Sequence, residues 1–173
     1  AEQLQTPVFV LSDLDIGMND WMIKDLEWDD KYVPNRGKVL DQDDLEKIEQ
    51  FHRYLDSDGD GIPYRTIPGT HPKGAYFTRG SGHNKFGGYT EDADEYQDVV
   101  DRLLIKWETA KSLVPSPIKD FKKKNKMAIL SIGSCDDAIR EARDLMSKDG
   151  HDFNYLRVRA FPFSDEVEKF IDA

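Results

Sequence analysis

Hydrophobic positions along this chain fall into a few short continuous runs, several helical stripes, and one long stretch that follows neither pattern. Pro7 to Ser12 (PVFVLS) and Met127 to Ile132 (MAILSI) are continuous apolar runs closed by polar residues. That pattern predicts strands buried on both faces, as in a parallel sheet. FNYLRVRAF, from residue 153 to 161, predicts another strand. Leu45, Ile48 and Phe51 or His52 form a helical stripe over 41–55, with Asp41 or Asp43 as cap and Glu46 in the first turn. Tyr96, Val99/Val100, Leu103/Leu104 and Trp107 hold the helical period from a Thr90 cap to about Ser112, before Pro115 and Pro117. This is the longest predicted helix. GSCDDAIREARDLM predicts a turn and a helix with Ala138, Ile139, Ala142 and Leu145/Met146 inward, and SDEVEKFI starts a final helix capped by Ser164. The C-terminal part therefore reads as a β-α-β-α unit, for which a right-handed crossover is expected. Residues 21–40 show no clean period, and Trp21, Met22 and Trp28 are expected to pin an extended connector to some surface.

The stretch from Tyr54 to Thr90 lacks apolar periodicity and holds most of the chain's twelve glycines. Tyr64, Ile67, Tyr76, Phe77 and Phe86 recur within it, which distinguishes it from a flexible linker and predicts ordered, functional backbone. In DSDGDG, Asp56, Asp58 and Asp60 have the alternate spacing of a calcium loop, with Gly61 at its sharp turn. The twelfth position is Ile67, so the bidentate carboxylate of such a loop is missing. An acidic, metal-free turn and a Ca²⁺ site both remain open. Further on, Thr78, Arg79, Ser81, His83 and Asn84 gather around two glycines, where amides, a guanidinium and an imidazole can meet an anion. A glycine-rich turn with incidental polar residues is the alternative. His71 and His83 lack cysteine partners and regular ligand spacing, which argues against a zinc centre.

Two other turns carry candidate chemistry. Asp13, Asp15, Gly17 and Asn19 follow the first predicted strand, where open α/β sheets place ligand crevices. The plainer role for Asp13 or Asn19 is to cap a helix begun at Asp20 or Trp21. The Gly133-Ser134 turn leads into a helix N-terminus able to meet a phosphate, which admits a free-standing nucleotide binder as a reading. Cys135 lies in that turn without a base nearby in sequence and is not read as a nucleophile.

Charge and composition narrow the function classes. A net charge of −10 and a pI near 4.8 oppose a nucleic-acid backbone or an anionic membrane as main partner. The apolar fraction of 38% is enough for a core. One cysteine makes no internal disulfide and holds no iron–sulfur cluster by itself, which suits a reducing, cytoplasmic setting. No apolar run approaches the ~20 residues of a membrane span, and no basic-then-apolar leader stands at the start. Ala1 to Gln5 reads as the last turn of a helix and the final helix has no sheet after it, so an internal piece of a longer polypeptide is expected.

PVFVLSDLDIGMNDW, DGDGIPYRTIPGTHPKGAYFTRGSGHN and ILSIGSCDDAIREARDLM followed by FNYLRVRAFPF resemble the α subunit of 2-oxoacid:ferredoxin oxidoreductases, in particular the 2-oxoglutarate type. The resemblance covers essentially the whole chain. It implies an α/β fold in which residues 1–20 end a thiamine-diphosphate pyrimidine-type domain. Residues 21–125 would form an irregular connector with a long helix, and 126–173 an incomplete transketolase C-terminal-like (Rossmann-like) βαβ unit. It implies oxidative decarboxylation of a 2-oxo acid with coenzyme A, electrons passing to ferredoxin. Thiamine diphosphate, Mg²⁺ and the iron–sulfur cluster would lie mainly on a partner β subunit. The family's Tyr-Pro-x-Thr-Pro substrate motif is absent here, so this piece alone is expected to be inactive. Arg65, Thr78, Arg79, His83 and Asn84 are then the candidates for substrate or cofactor proximity, with Arg65, Arg79 and His83 meeting a substrate carboxylate. A calcium-stabilised structural or interaction module built on Asp56, Asp58 and Asp60 is the competing function.

Overall fold

The computed structural model describes all residues except Arg79, Lys123 and Lys124. Its helices, in chain order, are α1 (Leu14–Met18), α2 (Gln42–Lys47), α3 (Ala93–Ala110), α4 (Asp136–Lys148) and α5 (Asp165–Ile171). Its strands are β1 (Ile118–Asp120), β2 (Ala128–Ile132) and β3 (Asn154–Val158). The chain forms two compact units, one of Ala1–Val8 with Lys31–Ala110 and one of Phe9–Asp30 with Lys111–Ala173. None of the described helices is long and apolar enough to cross a membrane.

The second unit carries the sheet. β3 lies in the middle, antiparallel to β1 and parallel to β2, with Ala128 opposite Asn154 and Ile132 opposite Val158. A parallel pair needs a crossover, and α4 supplies it between β2 and β3. Leu156 and Val158 of β3 pack with Val167 and Phe170 of α5 as the buried apolar cluster. Phe121 adds an edge-to-face contact to Phe170. A second, polar nucleus lies beside it. Asp136 at the start of α4 is buried and accepts from the Tyr155 hydroxyl at 2.6 Å and from Arg157 and Arg140 at 3.1 Å each. The Tyr155 hydrogen bond, ahead of the two guanidiniums, holds the Asp136 carboxyl below its ordinary pKa.

The first unit has α3 and α2 but no ladder of strands among its described residues. Asp41 caps α2 through a reciprocal pair of bonds with Asp44, and Leu45 is fully buried. The far end of α2 is capped by the Lys73 ammonium, which donates to the carbonyls of Glu46 and Ile48.

Several expected elements differ in the structure. PVFVLS is not a strand: Phe9, Val10 and Leu11 are each more than four-fifths exposed and no ladder partner is described for them. A continuous apolar run specifies burial without saying what supplies the neighbouring strands, and among the described residues β3 pairs with β1 and β2. MAILSI does form β2, yet it lies at an edge, so Leu130 and Ile132 remain exposed and only Ser131 is buried. Asp13 caps α1, not a helix begun at residue 20, and Asn19 closes that same helix. Ala1 to Gln5 is a turn closed by Thr6 N to Ala1 O. Met22 and Trp28 are exposed, while Trp21 is about half-exposed. The 41–55 helix stops at Lys47, because Ile48 turns to extended backbone. α3 is capped by Asp92, whose carboxylate accepts from Asp94 N and Glu95 N, while the Thr90 hydroxyl accepts from Asp92 N. The inward face of α4 is Asp136, Ile139 and Arg143, with Ala138, Ala142 and Leu145 outward. β1 was not expected at all; three residues after a proline carry too little pattern. The basic stretch DFKKKNK, residues 120–126, reads in the sequence as a solvated interdomain hinge; of it, Lys123 and Lys124 lie outside the described residues.

Candidate functional site

The Asp-rich loop is organised by hydrogen bonds from the chain's own groups. Asp56 accepts from Gly59 N at 3.0 Å and Gly61 N at 2.8 Å. Asp58 accepts from the Tyr64 hydroxyl at 3.0 Å, and Asp60 from Ile62 N at 2.9 Å. The Lys38 ammonium then lies 2.7 Å from both Asp58 and Asp60 and donates as well to Ile62 O. Burial works against that ammonium, but the two carboxylates outweigh it and hold the Lys38 pKa above the usual lysine value. Asp58 is correspondingly lowered, by Lys38 first and Tyr64 second. Lys38 thus provides the positive charge a cation would bring, and the geometry favours the metal-free reading of this turn. Among the described residues no three acidic, histidine or cysteine side chains are arranged to hold a metal ion.

Gly61 fixes the loop against α3. Its φ is +77°, and a Cβ there would lie 2.2 Å from Lys106 N and 2.7 Å from Arg102 O. Only glycine permits both the left-handed backbone and this approach. Arg102 donates to Gly61 O at 2.9 Å and the Thr109 hydroxyl to Asp60 O at 2.7 Å, so α3 is joined to the loop through polar side chains.

The second half of the stretch forms a cavity of about 370 Å³ lined by Phe77, Thr78, Gly82, His83, Gly87 and Tyr89. Tyr54 supports two of these lining residues. The Tyr54 ring stacks on the His83 ring, with centroids 3.8 Å apart and planes at 19°, while its hydroxyl donates to Thr78 Oγ1 at 3.0 Å. His83 Nδ1 lies 3.0 Å from the Asn84 carbonyl. A carbonyl only accepts, so the proton belongs on Nδ1 and Nε2 is the free ring nitrogen. In the neutral ring Nε2 accepts a hydrogen bond; in the protonated ring it donates to an anion.

The sequence candidates separate accordingly. Thr78 and His83 come together in this cavity. Asn84 serves the loop, its Oδ1 accepting from Phe86 N and Gly88 N and its Nδ2 donating to Glu95. Arg65 is engaged elsewhere. Its guanidinium is ion-paired with Glu2 and donates to Arg36 O at 2.7 Å, and its backbone bridges to Lys38 and Leu40. Glu2, lowered by Arg65 first and Arg36 second, is the physical reason Arg65 is not directed to a ligand. Arg79 lies outside the described residues. Tyr54 and Tyr89 were missed because neither belongs to a motif; a tyrosine next to a glycine-rich loop is the only signal they leave.

In the second unit a smaller cavity of about 210 Å³ is lined by Ile16, Trp21, Ser134, Asp136, Asp137 and Arg157. Asp13 Oδ2 accepts from Ser134 N at 2.9 Å, and its other oxygen from Ile16 N at 2.9 Å. Those bonds, Ile16 first, lower the Asp13 pKa. The Ser134 amide that this turn would offer to an anion is therefore taken by the chain's own carboxylate, which counts against the nucleotide-binder reading. Cys135 is exposed, and its thiol faces Ile132 O at 3.2 Å.

Comparison with known proteins adds the fold. No protein-family model matches the chain, and no curated protein matches it. Among solved structures, the 2-oxoglutarate:ferredoxin oxidoreductase from Magnetococcus marinus, with 2-oxoglutarate, coenzyme A and succinyl-CoA bound, is similar with a TM-score of 0.64. The likeness covers 76% of this chain at 16% identity, and this chain spans 22% of that one. At that identity the likeness shows a shared α/β fold with a piece of an oxidoreductase.

Proposed function

We propose that this chain is part of the α subunit of a thiamine-dependent 2-oxoacid:ferredoxin oxidoreductase that converts a 2-oxo acid, in the first instance 2-oxoglutarate, to its acyl-CoA. The observation that carries the reading is the structural likeness at a TM-score of 0.64 over 76% of the chain. The motif resemblance points the same way independently of the coordinates. Fourteen apolar side chains from Val8 to Val33 stand exposed, many more than an isolated soluble protein leaves in one segment, which supports burial against a larger assembly. In this reading residues 1–20 end a pyrimidine-type domain, 21–125 connect, and 126–173 open a transketolase C-terminal-like domain. β1, which this division counts with the connector, pairs with β3.

The residues present do not fit the redox groups of such an enzyme. One exposed cysteine holds no iron–sulfur cluster, and no described acidic or histidine group is arranged for Mg²⁺. Those groups and thiamine diphosphate are assigned to a β subunit, with ferredoxin as electron acceptor, and this chain alone is inactive. Its contribution is to shape the reactant side through the Thr78–His83 cavity, with Arg79 adjacent in sequence as the cation for a substrate carboxylate.

The test is steady-state reduction of ferredoxin by the intact complex, supplied with 2-oxoglutarate and coenzyme A. Turnover is expected, and Arg79→Ala should raise the 2-oxo acid KM by about one to two orders of magnitude, as loss of a charge-assisted bond does. No turnover with any 2-oxo acid overturns the proposal.

A further inference from the structure

Several basic side chains in this acidic protein sit against carboxylates: Lys38 on Asp58 and Asp60, Arg65 on Glu2, Arg143 on Asp120, Arg157 on Asp136. Among the described residues of the first unit, Arg53, Arg102 and Lys106 do not. Arg102 and Lys106 lie four residues apart on α3 and so share one face, the face that meets Gly61. Arg53 lies 5.6 Å over the Tyr54 ring, near enough for its charge to act on both others. All three are half-buried, and among the described residues none of them is ion-paired. The Arg102 Nε is buried without any hydrogen-bond partner.

Such a cluster is unfavourable by itself, since half-buried like charges lose hydration and repel one another. Burial first, then Arg102 and Arg53, pull the Lys106 pKa below the usual lysine range. Arg102 is lowered by burial and by Arg53, against the opposing charge of Asp56. Asp56 is the neighbouring carboxylate, but both of its oxygens are taken by the Gly59 and Gly61 amides.

We propose that Arg53, Arg102 and Lys106 form a binding site for a phosphate group. Two guanidiniums and an ammonium offer more donors than one carboxylate accepts, and they match the several oxygens and higher charge of a phosphate. The same Tyr54 that carries Arg53 stacks on His83 of the aromatic-lined cavity. A ligand bearing both a phosphate and a flat ring would use the two features together; free phosphate would use only the first.

Calorimetric titration of the full chain tests this with inorganic phosphate and with ADP, and with 2-oxoglutarate as a carboxylate control. Both phosphate probes should saturate, and Lys106→Gln and Arg53→Gln should each weaken them about tenfold or more, the usual effect of losing a charge-assisted bond. Lys106→Gln without ligand should melt at or above the parent's temperature, because it relieves repulsion, so the loss is not unfolding. ADP binding tenfold or more tighter than phosphate supports a nucleotide as the source, and equal affinities support free phosphate. No saturation by either probe, unchanged affinity in Lys106→Gln, or 2-oxoglutarate binding as tightly as phosphate overturns the proposal.

Discussion

The two units reach order by different means. In the second, β3 is buried between two strands and under α5, and the apolar group Leu156, Val158, Val167 and Phe170 is regular structure packed in the ordinary way. In the first, side chains bond to loop backbone where a ladder would otherwise stand: Asp56 to two glycine amides, Lys38 to Ile62 O, Arg102 to Gly61 O, Thr109 to Asp60 O. Its buried apolar residues, Leu45, Phe51, Ile62 and Ala110, are few and scattered along the sequence. The first unit's loop is therefore held by a set of polar contacts, each of which can be removed singly, and it bears the larger cavity.

The largest expected effect tests that dependence. Gly61→Ala forces a Cβ into the α3 backbone at a left-handed φ and should destabilise the first unit by about 3 kcal/mol or more. Hydrogen exchange should show lost protection along α3 with β3 unchanged; equal loss in both would mean that the units are not independent. The converse is Asp136→Asn, which leaves Arg157 and Arg140 without their carboxylate and should cost about 2–3 kcal/mol, lost from β3 and α4 first.

Acid should act on both units in the same direction. Asp136 and Asp58 are lowered in the folded state, so each contributes stability that is complete above the unfolded carboxyl pKa of about 3.9. That stability is lost as pH falls through the lower folded values, so thermal melts should hold steady down to about pH 5 and drop steeply below about pH 4. A steady decline already between neutral pH and pH 5 would contradict these shifts. A smaller change is expected from Lys38→Met, about 1 kcal/mol, since the pair is partly exposed. Adding Ca²⁺ should raise the melting temperature of that variant but not of the parent; a rise in the parent would show that the ammonium does not substitute for a cation.

Sequence patterns revealed the regular parts because burial leaves a period. β2, β3, α4 and α5 fall within the expected C-terminal unit, and Leu45, Phe51 and the 3.6-residue stripe of α3 were visible as apolar positions. The stripe misled about what α3 touches: Tyr96, Leu103 and Leu104 are exposed, while Arg102, Lys106 and Thr109 face the loop. Hydrophobicity carries no information about a helix that packs through polar groups onto a glycine. Glycine and aspartate spacing at 56–61 predicted a tight turn correctly, but its counter-charge came from Lys38, about twenty residues upstream, which no local motif encodes. The Asp13–Ser134 bond spans 121 positions and is likewise invisible to any window. Thr78 and His83, which line one cavity, stand out in the composition of the stretch; Tyr54, which touches both, does not.

The claim that the loop of the first unit faces the reactants is tested most directly by His83→Ala in the intact complex. Steady-state kinetics should show the 2-oxo acid KM raised about tenfold, the effect of one lost hydrogen bond to a charged group, with the complex still assembled and its melting temperature little changed. Unchanged KM and kcat, in a complex that assembles normally, would contradict the account.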